Sequence, residues 1–319
     1  MQPALFCSTI IPTVGRPSLD RTVLSVLNQE GSGAADFEVI VVNDSGRPLP
    51  EADWRQSPQV RLIETNRRNR SVARNAGAAI ANGRYLHFLD DDDYLLPHAF
   101  RALRQVAQEN PDAAWLYGGY KLVDREEAPL ETCQPDEQGN CAVRFAIGEW
   151  LPLQISLIRT DAFFAVGGFA SLESLLGGDE DVDLSRQISL THDIAGTPEP
   201  LGVILFGHAG NTTTNYATLR QQSRISREKM LAAPGAARRM LESARSRFAY
   251  VNYWQGRVVW CYLASVYWNA RHGRPLTAVS RLLSSSYLFA QSGRHIFSRY
   301  FWRGAAGRQL IHGWLSTGK

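Results

Sequence analysis

Residues 85–97 read YLHFLDDDDYLLP: a strand-forming run ends in four consecutive aspartates, Asp90 to Asp93, just ahead of Pro97, where a helix is expected to begin. Adjacent carboxylates repel one another, so a chain with no use for them avoids such a run. Upstream, SVARNAGAAIANG (71–83) has the small residues of a closely packed helix, with Ser71 as its expected N-cap and Gly83 as its stop. Before it, ALFCSTIIPT (4–13), FEVIVVNDSG (37–46) and VRLIET (60–65) read as buried strands. SLDRTVLSVLNQ (18–29) places Leu19, Val23, Val26 and Leu27 at helical spacing behind Ser18. Strands alternating with helices predict an α/β fold of βαβ units, a Rossmann-like, mainly parallel sheet flanked by helices. Ligands of such sheets bind at the carboxyl ends of the strands. Pro12, Thr13, Asp44 and the aspartate run all fall there, so they are expected to converge on one rim.

Downstream the pattern weakens from 114 to 150, where DREEAPLETCQPDEQGN (124–140) reads as a surface loop or hairpin. QISLIR (154–159) reads as a strand and TDAFFAVGGF (160–169) as a short helix stopped at Gly167–Gly168. DEDVDLSRQISL (179–190) reads as a helix whose acidic first turn suits the helix dipole. LGVILFGHAGNTTT (201–214) reads as a strand entering a loop. From Tyr216 onward the pattern is helical, broken at APGA (233–236), HGRP (272–275) and QSGR (291–294).

Charge divides the chain at the same place. Residues 216–319 carry 17 lysines and arginines against only Glu228 and Glu242, whereas residues 1–215 hold 17 basic and 29 acidic residues. Two parts are therefore expected: a domain over 1–215 and a basic, aromatic-rich, all-helical extension over 216–319. An acidic body suits cations, and a basic tail suits an anionic surface. The N-terminal residues lack the pattern of a signal peptide, and VVWCYLASVYW (258–268) is too short to span a bilayer. Cys7, Cys133, Cys141 and Cys261 lack metal-ligand spacing and read as reduced thiols of a cytoplasmic protein.

Acids this dense at a strand end most simply bind a divalent cation, with oxygen ligands suited to Mg2+ or Mn2+. Mg2+ takes few protein carboxylates and fills its remaining positions with phosphate and water, so a nucleotide diphosphate is the natural third party. The plainer reading makes Asp91 and Asp93 caps of the helix near Pro97, and leaves the other acids without a purpose.

STIIPTVGRP (8–17), VIVVNDSG (39–46), SVARNAGAAIANGRYLHFLDDDD (71–93), VGGF (166–169) and GGDEDVDLSRQ (177–187) follow one another in an order and spacing that resembles the family 2 glycosyltransferases of GT-A fold. The resemblance runs from residue 5 to about residue 190. It implies inverting transfer from a nucleotide sugar with Mn2+ or Mg2+. Pro12, Thr13 and Arg16 would line the nucleobase pocket. Asp44 would accept a hydrogen bond from the base, which suits uracil N3–H and a UDP-sugar; its plainer role is that of a turn residue. Arg74 would lie near the diphosphate, or else on a solvated helix face. NRRNRS (66–71) departs from the glycine-bearing segment usual in the family.

Within the acid run, Asp90 and Asp91 would hold ribose or sugar hydroxyls and Asp92 would touch the metal, with a slip of one residue open. Asp181 matches the second residue of the family's acidic pair and would take the acceptor's proton; Asp179 is its alternative, and helix capping its plainer role. Glu180 would support the acceptor site. His208 reaches the metal or diphosphate, or is structural; Trp150 stacks on a sugar acceptor, or belongs to a core. The expected acceptor is a hydroxyl of a glycan or lipid-linked glycan, as in bacterial surface polysaccharide assembly. A polyprenyl-phosphate sugar synthase and a non-catalytic nucleotide-sugar-binding protein are the alternatives.

The tail interleaves aromatics and arginines in YVNYWQGRVVWCYLASVYWNARHGRP (250–275) and RHIFSRYFWRGAAGRQLIHGWL (294–315). That composition suits an anionic membrane surface and a peripheral position at the inner face of the plasma membrane. The plainer reading is a helical bundle packed on the body. No motif supports nucleic-acid binding.

Overall fold

The computed structural model describes residues 5–31, 36–149, 151–170, 180–206, 216–247 and 251–297, side chains of 216–220 excepted. The body comprises β1 (Cys7–Thr13), α1 (Leu19–Leu27), β2 (Phe37–Asn43), β3 (Val60–Glu64), α2 (Arg70–Ala79), β4 (Tyr85–Phe88), β5 (Tyr94–Leu95) and α3 (Ala99–Glu109). It continues through β6 (Trp115–Val123), β7 (Pro129–Cys133), α4 (Ala142–Ile147), β8 (Ser156–Arg159), α5 (Thr160–Ala165), α6 (Glu180–Ser189) and β9 (Ile194–Leu205). The tail folds as α7 (Tyr216–Ala232), α8 (Ala236–Arg245), α9 (Val251–Arg271), α10 (Pro275–Ser284) and α11 (Ser286–Ser292).

The strands form one sheet in the order β3-β2-β1-β4-β8-β6-β9-β5, with β7 beside β6. The first four are parallel, as the βαβ periodicity predicts. Beyond β4 the sheet is mixed: β8 runs antiparallel between β4 and β6, β6 and β9 are parallel, β5 pairs antiparallel with β9, and β7 antiparallel with β6. Alternation along the strands sorts their side chains between two faces. Ile11, Val39, Val41, Leu116 and Leu157 pack with Leu19, Val23, Phe100 and Leu103 of α1 and α3. Ile10, Ile40, Val42, Leu86 and Ile158 pack with Ala73, Phe163, Leu184 and Ile188 of α2, α5 and α6. A one-residue slip of any strand would exchange the two sets, so the register is tightly specified.

A third cluster joins the tail to the body: Ala142, Val143 and Ala146 of α4 pack with Met230, Met240, Trp254, Val258 and Leu288. Polar contacts add to it. Asp183 of α6 accepts from Ser226 Oγ and Lys229 Nζ, each at 2.9 Å. Arg186, fully buried, donates to the Phe145 carbonyl at 3.0 Å and to the Ser223 carbonyl at 2.9 Å. The breaks expected at APGA, HGRP and QSGR fall at the ends of α7, α9 and α11.

Several local expectations are corrected. The N-cap of α2 is Asn69, whose side chain accepts from Val72 N at 3.1 Å, and Ser71 lies inside the first turn. Ser18 occupies the N-cap position of α1 with no side-chain cap bond. α3 begins at Ala99, two residues after Pro97. β6, inside the stretch of weak pattern, is a central strand, and β9 starts at Ile194 rather than at 201. Gly118 and Gly119 dilute the apolar signal of β6 because β9 approaches too closely for side chains there. A Cβ on Gly119 would lie 2.6 Å from the Pro198 carbonyl oxygen. Pro198 and Pro200, which lack N–H groups, accompany register shifts on either side of Gly119.

Gly83 stands beyond the end of α2, in the turn into β4. Its N–H donates to Ser8 Oγ at 2.8 Å, and a Cβ there would meet Ser8 N at 2.4 Å and the Cys7 carbonyl carbon at 2.5 Å. Backbone atoms of a central strand cannot give way as a side-chain tip can. Gly83→Ala is therefore expected to cost about 1–3 kcal/mol or more, read as a lower urea midpoint with unchanged slope. A midpoint equal to that of the parent would contradict the close approach.

Candidate functional site

β1 and β2 end side by side, with Thr13 opposite Asn43, and Asp44 N donates to the Thr13 carbonyl at 2.8 Å. β4 lies on the other side of β1, where Leu89 N donates to the Ile10 carbonyl at 3.0 Å. The carboxyl ends of these strands open into a cleft of about 680 Å³. Pro12, Thr13, Arg16, Asp44, Asp90, Asp91, Asp92, Asp93 and Glu180 line it, together with Arg47, Arg68, Arg70, Ser71 and Gln154.

The four aspartates differ in their partners, with Arg16 shared by Asp91 and Asp92. Asp90 accepts from Arg74 Nη2 at 2.6 Å and from Gln154 Nε2 at 2.9 Å. Burial alone would raise its pKa, but the Arg74 guanidinium outweighs this and holds it below the usual range. Asp91 accepts from Thr13 Oγ1 and Arg16 Nη1, each at 2.6 Å; burial nevertheless holds it above the usual range. Asp92 accepts from the same Arg16 nitrogen at 2.8 Å. Asp93, buried beside three other acids, has its pKa raised well above the usual range and accepts from Leu205 N at 2.8 Å. It thereby fastens the end of β9 beneath the cleft. It does not cap α3, whose N-cap is His98 without a side-chain bond.

Arg74 is 3% exposed, which excludes a solvated helix face. Its guanidinium joins Asp90 to Glu180, 3.1 Å from Nη1, and lies 5.4 Å from the centre of the Phe169 ring. Arg70 Nε meets the same Glu180 oxygen at 2.6 Å. Burial would lower the Arg74 pKa, yet Asp90, Glu180 and Asp181 more than reverse this, so it stays charged. Asp181 follows Glu180 in the first turn of α6, half-buried, and its Oδ1 accepts from Val182 N at 2.8 Å.

Asp44 ties down a neighbouring loop. Its Oδ1 accepts from Thr65 Oγ1 at 2.8 Å and Arg67 N at 2.5 Å, and its Oδ2 accepts from Asn69 N at 2.6 Å. This fastens the Asn66–Asn69 loop, where Asn66 and Arg68 adopt φ of 50° and 49°. The left-handed positions that glycine would otherwise fill are held in place by one buried carboxylate. Oδ2 retains acceptor capacity toward the cleft. Arg47 and Arg68, both exposed, stand on the cleft's lip.

Behind the acids, His87 is fully buried on β4. Its Nε2 lies 2.8 Å from the Gln154 carbonyl, which can only accept, so Nε2 carries the proton and Nδ1 accepts from Thr9 Oγ1 at 3.1 Å. Burial pushes its pKa down to about 4. A chain of contacts thus runs from Thr9 through His87 and Gln154 to Asp90. Gln154 escaped sequence reasoning; its only signal was an amide opening the apolar run QISLIR. Arg47 and Arg68 gave no signal distinct from other surface arginines. Trp150, Asp179 and His208 lie outside the described residues.

Residues 8–133 match the family described as Glycosyl transferase family 2. A Haemophilus influenzae protein described as an uncharacterized glycosyltransferase is 28% identical over 226 residues, covering 68% of this chain and 74% of that protein. The poly(ribitol-phosphate) beta-N-acetylglucosaminyltransferase TarP of Staphylococcus aureus is 34% identical over 109 residues, 32% of this chain and 33% of TarP. Among solved structures, S. aureus TarS 1-349, crystallised with UDP-GlcNAc, superposes with a TM-score of 0.61 at 14% identity, covering 89% of this chain and 91% of TarS 1-349. At that identity the likeness speaks for the fold: a GT-A body with a helical C-terminal region.

Two stability experiments follow from this geometry. Arg74→Met leaves buried Glu180 and half-buried Asp90 without their shared cation, and is expected to cost about 3–5 kcal/mol in urea unfolding. A loss below about 1 kcal/mol, the range of an exposed pair, would contradict a buried hub. His87 is neutral in the folded state down to about pH 4, whereas an unfolded histidine protonates near pH 6.5. The unfolded chain therefore binds the extra proton between these values. The stabilisation is complete above pH 6.5 and falls away by about 3 kcal/mol as pH drops to 4. His87→Gln lacks this titration, so its stability should depend less steeply on pH across that window; parallel curves would refute the buried neutral imidazole.

Proposed function

The chain belongs to the family 2 glycosyltransferases, and from that premise we propose that it transfers a sugar from a UDP-sugar, with inversion, to a hydroxyl of a glycan or lipid-linked glycan. The observation that carries the reading is the convergence of Asp44, Asp90, Asp91, Asp92 and Glu180 on one cleft at the strand ends, with Asp181 beside Glu180. Asp44, with acceptor capacity left on Oδ2, suits the N3–H of uracil. Pro12 and Thr13 form the neighbouring wall, and Asp90 and Asp91 offer carboxylates to ribose or sugar hydroxyls. TarS, whose fold this chain shares, was crystallised with UDP-GlcNAc, which supports a UDP-linked donor. TarP, whose name describes transfer to poly(ribitol-phosphate), supports a polymeric acceptor of bacterial surface type.

In the transfer, the acceptor oxygen forms its bond to the anomeric carbon as the bond to the diphosphate breaks, and the electron pair leaves with UDP. Asp181 takes the acceptor's proton. Glu180, held by Arg70 and Arg74, orients that side of the cleft. Arg16, Arg68 and Arg70 supply positive charge toward the phosphates.

Among the described residues no group of three His, Cys, Asp or Glu side chains could hold a metal ion by itself. That donor set still fits Mg2+ or Mn2+, which take one or two protein carboxylates and complete their shell with phosphate and water. Asp92 would hold the ion, and the ion would offset charge on the departing diphosphate. Its present partner, Arg16, would have to yield part of that contact. The basic extension faces an anionic membrane surface at the inner face of the plasma membrane. Its charge supports this, and no described helix is long and apolar enough to cross a membrane.

Turnover of UDP-sugars with and without Mn2+ tests the reading. Asp181→Asn is nearly isosteric but cannot take the proton, and should lower kcat by about two to four orders of magnitude with UDP affinity preserved. Asp92→Ala should abolish the Mn2+ dependence of UDP binding. Near-native turnover in the Asn variant would place the base elsewhere. UDP-sugar binding without any transfer or hydrolysis would favour a binding protein instead.

A further inference from the structure

α10 is amphipathic in the reverse of the usual sense. The face turned toward α7 and α9 carries Ala278, Arg281 and Ser285, all buried. Arg281 donates to the Leu231 carbonyl at 2.5 Å and to Ser265 Oγ at 3.2 Å, and lies 3.4 Å from Glu228. The outward face carries Leu276, Val279 and Leu283, 85%, 53% and 68% exposed, at the i, i+3, i+7 spacing of one stripe. Leu282 at its flank and Phe297 beyond α11 are exposed as well. A helix that meets only water arranges its residues the other way.

α9 also exposes large rings, Trp260 and Tyr267, at the i, i+7 spacing of one face. At the junction of the two helices Arg271 donates to Tyr267 Oη at 3.0 Å, His272 stacks on Trp268, and Arg274 lies 5.5 Å from the Trp268 ring centre. Residues 251–297 contain neither Asp nor Glu, and of their five arginines Arg271, Arg274 and Arg294 are exposed. Exposed leucines beside aromatic rings, framed by cations without a single acid, match the depth profile of an anionic lipid leaflet. There acyl chains meet the apolar side chains, rings sit at headgroup level and cations meet phosphate.

We propose that the outer faces of α10 and α9 are the membrane-docking surface, with Leu276, Val279 and Leu283 entering the acyl boundary and Arg271 and Arg274 meeting anionic headgroups. This rests on the reading of residues 216–319 as membrane-facing and names the element responsible. The occupant is a lipid surface rather than a second copy of the chain, because two copies apposed through this face would bring like charges together with no acid to offset them.

Flotation of the full chain with phosphatidylcholine vesicles, with and without phosphatidylglycerol, tests it. The parent is expected to float with the anionic vesicles, to do so less at high salt, and to leave neutral vesicles largely unbound. The pair Leu276→Asp and Leu283→Asp should lower partitioning by about tenfold or more, since exposed leucines are replaced by charges that the leaflet rejects. Arg271→Gln with Arg274→Gln should reduce the preference for anionic lipid. UDP affinity and melting temperature should stay at parent values in both, because all four side chains lie at the surface and outside the cleft. No flotation of the parent with either vesicle overturns the membrane reading as a whole. Flotation unchanged by the leucine substitutions overturns the assignment to α10 and leaves that reading standing. A parent that is dimeric by light scattering, and becomes monomeric with the leucine substitutions, makes the face a contact between copies and overturns the proposal.

Discussion

One buried guanidinium makes the cleft possible. Arg74 lies between Asp90, at the end of β4, and Glu180, at the start of α6, 2.6 and 3.1 Å from their oxygens. Two acid-rich segments could not be brought to one rim without a cation between them, because like charges in a poorly hydrated site repel by several kcal/mol. Arg16 performs the same task for Asp91 and Asp92, and Arg70 adds to Glu180. Asp90, Asp91 and Asp92 are therefore fixed, ion-paired carboxylates rather than a solvated patch. Both oxygens of Asp90 and Asp91 are aimed by partners, and a polar ligand entering the cleft meets groups that need little reorganisation.

The parallel half of the sheet was legible because its strands are uninterrupted apolar runs that end at turn residues. The acid run could be placed at the rim for the same reason, as could Asp44. Its partners could not. Arg74 and Glu180 are 106 residues apart in the chain, and Asp90 and Gln154 are 64 apart. Spacing along a sequence carries no trace of pairs formed only when β8 and α6 fold back on the first half. The fourth aspartate illustrates the limit. Asp93 looks like a helix cap or a metal ligand, yet its partner is a backbone N–H of β9. β6 was hidden by the feature that makes it work, two glycines admitting β9: Gly118 the Leu201 side chain and Gly119 the backbone at Pro198.

The loop from Asn66 to Asn69 departs from the glycine-bearing segment usual in the family without losing its shape. Left-handed backbone at Asn66 costs little, since a short polar side chain tolerates it, whereas Arg68 is held there at a cost of about 1–2 kcal/mol. Three hydrogen bonds to Asp44 offset that strain. In exchange the lip carries arginine side chains where glycine would leave bare backbone. A residue whose sequence context suggests a reader of the base is the post to which this loop is tied.

The tail, in turn, is not an appendage free to move apart from the cleft. Its first helix grips α6 at Asp183 and Arg186, one and two turns beyond Glu180. α6 therefore begins at the cleft with the acidic pair and continues beneath α7. Farther along the tail the polar interior is centred on Glu228, which accepts from Ser265 and Asn269 of α9 and pairs with Arg281 of α10. Glu228 and Arg281 turn inward and hold the bundle together, which leaves leucines and rings for its outer surface. The inversion of α10 thus has a local cause: a helix that must present an arginine to a half-buried glutamate places its apolar stripe on the opposite side.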